Sequence, residues 1–159
     1  MHTIFRCFLV LILSCTHCAA WEARCVGVSD GDTITVRAEG QTKARIRLYG
    51  IDAPEKGQDF GGRAKEYLSG LVYGETVDIE KMDTDRYGRT VAVVRVGAVN
   101  ANEEMLKAGM AWVFISRCRN KICAGWKDLE AQARTQRIGL WSQPEPRAPW
   151  EWRAQKRGK

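Results

Sequence analysis

Five charged side chains lie beside apolar, strand-like stretches of this 159-residue chain: Asp32, Arg47, Asp52, Glu55 and Arg89. Taken singly, each has an ordinary explanation. Asp30-Gly31-Asp32 reads as a turn, Arg47 as a solvated strand face, Glu55 as an exposed residue after Pro54, and Tyr87-Gly88 as a turn before Arg89. Together they meet a chemical requirement. Phosphodiesters are among the slowest bonds to hydrolyse unaided, so their catalyst must lower a very large barrier. Aspartates can hold a hard cation that polarises a phosphoryl oxygen. Two arginines can clamp the oxygens on which charge builds, and a glutamate can orient or deprotonate a water. Asp32 and Asp52, with backbone carbonyls, suit calcium, which prefers flexible, oxygen-rich sites.

Histidine narrows the chemistry further. His2 and His17 both fall in the first twenty residues, where Arg6 is the only charge, an apolar run Cys7–Leu13 follows, and Cys18-Ala19-Ala20 supplies small residues before Trp21. That is the pattern of a secretory signal peptide, and the run is too short to span a bilayer. The expected product is a secreted or periplasmic protein. Ile12-Leu13-Ser14-Cys15 keeps open an alternative, a lipid anchor through Cys15. Removing residues 1–20 would take the net charge from +6 to +5 and leave no histidine. Histidine general bases, Ser-His-Asp and Cys-His nucleophiles and His-ligated zinc are then excluded. The basic balance favours anionic partners such as nucleic acid. Of the remaining cysteines, Cys118 and Cys123 could close a small loop in an oxidising compartment, leaving Cys25 buried and free.

The elements that must position these charges follow from periodicity. Ala23–Ser29 and Asp32–Arg37 read as strands joined at Asp30-Gly31. In the second, Asp32 shares a face with Ile34 and Val36, so it sits on the core side at the strand's edge. Lys43–Ile51 is the next strand, and by the same parity Asp52 follows Ala44, Ile46 and Leu48. An antiparallel pairing need not bring the two aspartates together; a strong bend eased by Gly50 could. Asp59–Tyr73 is predicted helical, with Phe60, Ala64, Leu68 and Leu71 on one stripe. Glu75–Lys81 and Arg89–Val96 alternate as strands around the polar turn at 82–88. Asn100 with Glu103 marks a helix start and Gly109 its end. Gly125–Ile138 is the last predicted helix, after which Leu140-Trp141 docks on the core. Beyond Ser142 the proline-rich, basic segment reads as a partly ordered tail. The organisation is therefore a leader over 1–20, a domain over 21–142 and a tail over 143–159. Five short strands with helices in the second half fit a small closed barrel.

Three separated motifs, Asp30-Gly31-Asp32-Thr33, Arg47 through Asp52-Ala53-Pro54-Glu55, and Thr84-Asp85-Arg86-Tyr87-Gly88-Arg89, occur in the order and approximate spacing of the staphylococcal nuclease (thermonuclease) homologues. The similarity runs from about Ala23 to Trp141, including Gly139-Leu140-Trp141. The resemblance implies an α+β protein, a five-stranded OB-fold barrel with three helices. It also implies a calcium-dependent endonuclease acting on DNA and RNA. Residue by residue, Asp32 and Asp52 are similar to the family's calcium ligands, and Ala53 stands where a backbone carbonyl reaches the metal. Glu55 resembles the residue that handles the attacking water, and Arg47 and Arg89 the phosphate-binding pair. Arg86 and Tyr87 fall in the motif that contacts substrate phosphate. The family's base-stacking tyrosine falls near Val113–Ile115, where Trp112 and Phe114 are the aromatics. A monomer is expected, with membrane contact only if Cys15 is lipidated.

Two other classes compete. A non-catalytic OB-fold module would bind single strands through cations and aromatics, but has no need of Asp32, Asp52 and Glu55. An adhesive or envelope-anchored protein would draw only on Trp150-Glu151-Trp152 and the basic end. On the nuclease reading, alanine at Arg47 or Arg89 should lower turnover while leaving the fold largely intact.

Overall fold

The computed structural model describes residues 20–158. The leader, its two histidines and the Cys15 alternative lie outside those residues.

Alternating burial builds the barrel. Ile34 and Val36 in β2 (Thr33–Arg37), Ile46 and Leu48 in β3 (Ala44–Leu48), and Val77 and Ile79 in β5 (Thr76–Thr84) are all at most 1% exposed. Each large side chain so buried contributes about 1.5–3 kcal/mol. β1 (Trp21–Asp30) pairs antiparallel with β2 and β5, β2 with β3, and β5 with β6 (Thr90–Val96). A parallel pairing of β3 with β6 closes the ring, giving the five-stranded mixed barrel of an OB-fold. The β1–β2 loop is Gly31-Asp32, because Asp30 pairs with Thr33. Asp32 thus lies in the turn itself, one position from where the alternation placed the strand edge.

Gly50 makes the bend. Its φ is +69°, and a Cβ there would come within 2.6 Å of Cys118 Sγ and 2.8 Å of the Trp126 ring. Only glycine fits both the conformation and the space. The chain turns there out of β3 into β4 (Ile51–Asp52), which pairs with β8 (Trp112–Val113) in a second, two-stranded sheet. The buried Asn102 side chain pins the approach, donating to the Tyr49 carbonyl at 2.9 Å and accepting from Val94 N–H at 3.0 Å.

Helix α1 (Gly61–Val72) buries Gly61, Ala64, Leu68 and Val72. A two-residue strand, β7 (Val99–Asn100), leads into α2 (Ala101–Lys107). The Asn100 side chain caps that helix by accepting from the N–H groups of Asn102 and Glu103, as the sequence signature predicts. Helix α3 (Ile122–Thr135) starts three residues before Gly125, and the Cys118–Cys123 disulfide ties its first turn to the preceding loop. Cys25 is free and buried, and burial pushes its thiol pKa up.

The three-helix expectation is one short: the described residues form four α-helices. After the short 3-10 turn Gly139–Ser142, the segment read as a loose tail forms α4 (Pro149–Arg157). Pro149 opens it, where a missing N–H costs nothing. Ala148 and Pro149 are buried, and Ala148 packs in a cluster with Trp112, Ala133, Leu140 and Trp141. No helix among the described residues is long and apolar enough to cross a membrane.

Candidate active site

The floor of the site is a charge cluster around Arg47. Register places Arg47 opposite Thr33 on β2, beside the Gly31-Asp32 turn. Its guanidinium pairs with Asp32 through Nη1 and with Asp52 Oδ1 through Nη2, the latter at 2.8 Å. Asp32 Oδ2 also accepts the Ala53 N–H at 2.8 Å, fastening the β1–β2 turn to the chain after β4. The close approach needs Gly31, where a Cβ would fall 2.7 Å from both the Ala53 and Ala64 methyl carbons. Asp32 and Asp52, which strand parity alone left apart, are therefore joined by one arginine.

Glu55 is placed by the start of α1. A Cβ on Gly61 would overlap the Glu55 carbonyl oxygen, so glycine lets the helix back directly onto this loop. Glu55 N–H donates to Gln58 Oε1 at 3.0 Å, and Gln58 Nε2 donates to the Arg147 carbonyl at 2.7 Å. The buried Gln58 thereby joins the Glu55 loop to the segment that leads into α4.

Arg89 comes from the β5–β6 turn. Asp85 organises that turn, accepting the N–H groups of Tyr87 and Arg89, each at 2.9 Å, and Arg89 Nε at 2.6 Å. Tyr87 is exposed, with the Arg86 and Arg89 guanidiniums 4.8 and 5.7 Å from its ring centre. Arg86 Nη2 donates to the Tyr87 hydroxyl.

The aromatics near 112–114 divide. Phe114 lines the cleft, its N–H donating to the Gly50 carbonyl at 2.8 Å. Trp112 does not reach the cleft. It is buried, edge-on to Trp141 with ring centres 5.0 Å apart, so it lacks the free face that base stacking needs and packs as core. This corrects its assignment to substrate.

Helix α4 brings residues that sequence motifs did not mark. Arg153 donates to both Asp52 oxygens, at 3.2 and 2.7 Å, and to Glu55 Oε1 at 2.6 Å. Trp150, one turn earlier, stacks on Phe114 with ring centres 5.7 Å apart and planes 11° from parallel. The only signal in the sequence was compositional, a Trp-containing basic segment. Floor, β5–β6 turn, Phe114 and α4 together enclose one cleft of about 630 Å³.

Burial and charge oppose each other on the floor. Burial pushes the Asp52 carboxyl pKa up despite Arg153 and Arg47. Burial also raises Asp30, to about 6, with the neighbouring Asp32 charge adding to it. For Arg47 burial works downward, but Asp32, Asp52 and Asp30 outweigh it and hold the guanidinium charged. Hydrogen bonds to Asp52 raise Arg153 above the usual arginine range. Among the described residues no group of three or more carboxylate, histidine or cysteine side chains forms a metal cluster. The donors offered by Asp32, Asp52 and the Ala53 carbonyl are oxygen only. That set fits a hard cation that keeps several of its own waters; both aspartates here pair with Arg47, and Asp52 also with Arg153.

Of the residues singled out from sequence, Asp32, Arg47, Asp52, Ala53, Glu55, Arg86, Tyr87, Arg89 and Phe114 all line this cleft. Residues 45–143, more than half of the chain, match the family described as Staphylococcal nuclease homologue. The chain is 41% identical to a protein named micrococcal nuclease from Shigella flexneri, over 91% of this chain and 87% of that one. It is 41% identical to an uncharacterized endonuclease of Haemophilus influenzae, over 84% and 74% of the two chains. A probable staphylococcal-like nuclease, CAN1, of Oryza sativa subsp. japonica is 44% identical over 72% of this chain and 34% of its own. With its barrel, its three motifs and this extent of identity, the chain belongs to the staphylococcal nuclease homologue family.

Proposed function

We propose that this protein is a calcium-dependent endonuclease that hydrolyses phosphodiesters of DNA and RNA. One observation carries the reading: Asp32, Arg47, Asp52, Glu55 and Arg89, from four separate segments, line a single cleft. Nuclease names among relatives at 41% identity support the same class. In this reading Arg47 and Arg89 donate to the phosphoryl oxygens, where charge grows as the P–O bond breaks. Glu55 accepts the proton of the attacking water. Arg86 and Tyr87, on the exposed turn, take a neighbouring phosphate, and Phe114 takes a base. Asp32, Asp52 and the Ala53 carbonyl hold calcium, which when bound supplies Lewis-acid polarisation of the phosphate.

Cleavage of single-stranded DNA and of RNA by the purified Trp21–Lys159 chain tests this. The expected result is cleavage with calcium, none with chelator, and cleavage slowed by orders of magnitude in Glu55→Gln. A folded protein that binds strands and cuts nothing under any hard cation would overturn it. Arg153 gives the second reading its observation: with Arg47 it neutralises the acids that would otherwise repel phosphate, as a non-catalytic binding module requires. The leader pattern supports action outside the cytoplasm, and the reading takes the protein to be a monomer. Gel filtration and the mass of the mature chain check both, and a lipid adduct at Cys15 would replace release by anchoring.

A further inference from the structure

Helix α4 lies beyond residues 45–143, the part matched to the family, yet it forms a wall of the cleft. Trp150, Arg153 and Arg157 all line it. Their spacing of three and four puts them on one helical face. Two contacts fix that face in place. Arg153 is tied to Asp52 and Glu55 at the floor, and Trp150 is stacked on Phe114. Arg157 is different: it lines the cleft, is exposed, and has no carboxylate partner among the described residues. Arg117, after Phe114, is likewise an exposed, unpaired cation lining the cleft. An aromatic stack flanked by unpaired guanidiniums matches the chemistry of an unpaired nucleic-acid strand: bases stack on rings while cations take the backbone.

We propose that α4 is a strand-binding wall of the substrate cleft, with Arg157 taking a backbone phosphate and Trp150 contributing its ring to a stack that an unpaired base joins. Arg153 is a positioning residue that seats this wall on the floor. The occupant is single-stranded nucleic acid. A paired base keeps both faces covered by its neighbours, so a duplex cannot use the Trp150 ring. The inference rests on nucleic acid being the substrate, but not on cleavage.

The test measures binding of a labelled single-stranded oligonucleotide of about ten nucleotides, within the span of one OB-fold, and of the matching duplex. It is made by anisotropy on the mature chain with chelator present, so that nothing is cut. Arg157→Gln and Trp150→Leu should each weaken single-strand binding about five- to tenfold, and Trp150→Leu should leave the duplex nearly unchanged. Arg157→Gln should also flatten the dependence of log Kd on log salt by about 0.7. Lys156→Gln removes the same charge from the same helix, but Lys156 packs over Trp152 and does not line the cleft; its binding should match the parent. Arg157 is exposed, so its variant should fold, and thermal unfolding checks this for Trp150→Leu.

Parental affinity in both variants, equal weakening by Lys156→Gln, or a parent that binds no strand would each overturn the wall. Cleavage read in parallel separates the two readings. A protein that binds through Trp150 and Arg157 but never cuts keeps the wall and loses the nuclease. One that cuts, with KM unchanged in Arg157→Gln, keeps the nuclease and loses the wall.

Discussion

The barrel floor and the β5–β6 turn each present an arginine to the cleft, and they hold it by opposite means. Arg47 is wedged between two buried carboxylates, its own side chain 15% exposed. Arg89 sits on an open turn, ordered by the single half-buried carboxylate of Asp85. A charge removed from the floor leaves buried Asp32 without its cation, whereas one removed from the turn returns its partner to water. Similar guanidiniums proposed for similar chemistry therefore differ in what else they support. The expectation that alanine at either position spares the fold applies to Arg89; at Arg47 the geometry argues against it.

The sharpest contrast lies in Arg47→Ala. Turnover should fall at least 10²–10³-fold, as for loss of an oxyanion donor. Urea unfolding should also show a loss of about 3–5 kcal/mol, because Asp32 stays buried without its cation and Asp52 keeps only Arg153. Normal stability in that variant would mean that Arg153 alone neutralises the floor.

Glu55→Gln comes next. Its turnover should fall roughly 10²–10⁴-fold, the range for a general base, while calorimetric calcium binding is retained. Equal loss of calcium affinity would move Glu55 into the coordination shell. For Arg89→Ala, turnover should fall about 10²–10³-fold, with stability changed by no more than about 1 kcal/mol, as for a partly exposed pair. A large drop in stability there would erase the distinction between turn and floor.

The smallest effect is a pH-dependent one at Asp85. Burial pushes its carboxyl up, but hydrogen bonds from the Arg89 and Tyr87 backbone, together with the Arg89 guanidinium, outweigh it and leave the pKa below the usual value. The folded state thus prefers the carboxylate. Its stabilisation is present above the unfolded value of about 3.9 and disappears as pH falls through the lower folded one. Asp85→Asn should cost about 1 kcal/mol or less at pH 7, and the gap to the parent should close as pH falls below the ordinary carboxylate range. A gap that persists in acid would assign the loss to turn geometry instead of charge.

Much of the barrel was legible in the chain because its signals are local. Ile34 and Val36, then Ile46 and Leu48, alternate as a half-buried strand must, and Asn100 caps the helix that follows it. The special role of Gly50 was visible as a glycine in a strand before a proline loop. The three charged motifs were equally legible, since each is a short run of neighbours. Trp112 misled because an aromatic in a short apolar segment looks the same whether its ring faces a ligand or Trp141.

What tertiary structure decided is everything that depends on residues far apart in sequence. Asp32 meets Ala53 across 21 positions, and Asp52 meets Arg153 across 101. Periodicity carries no record of such pairings. They form because a closed barrel and its packed helices leave each buried carboxylate only the cations that the fold brings within reach, and an unpaired charge there is costly. Strand faces, helix caps and the residue types of the charged motifs were set by the sequence of neighbours. Docking of α4 against the floor was set by burial of Ala148 and Pro149, the Phe114–Trp150 stack and the unmet charge on Asp52, which exist only once the chain has folded.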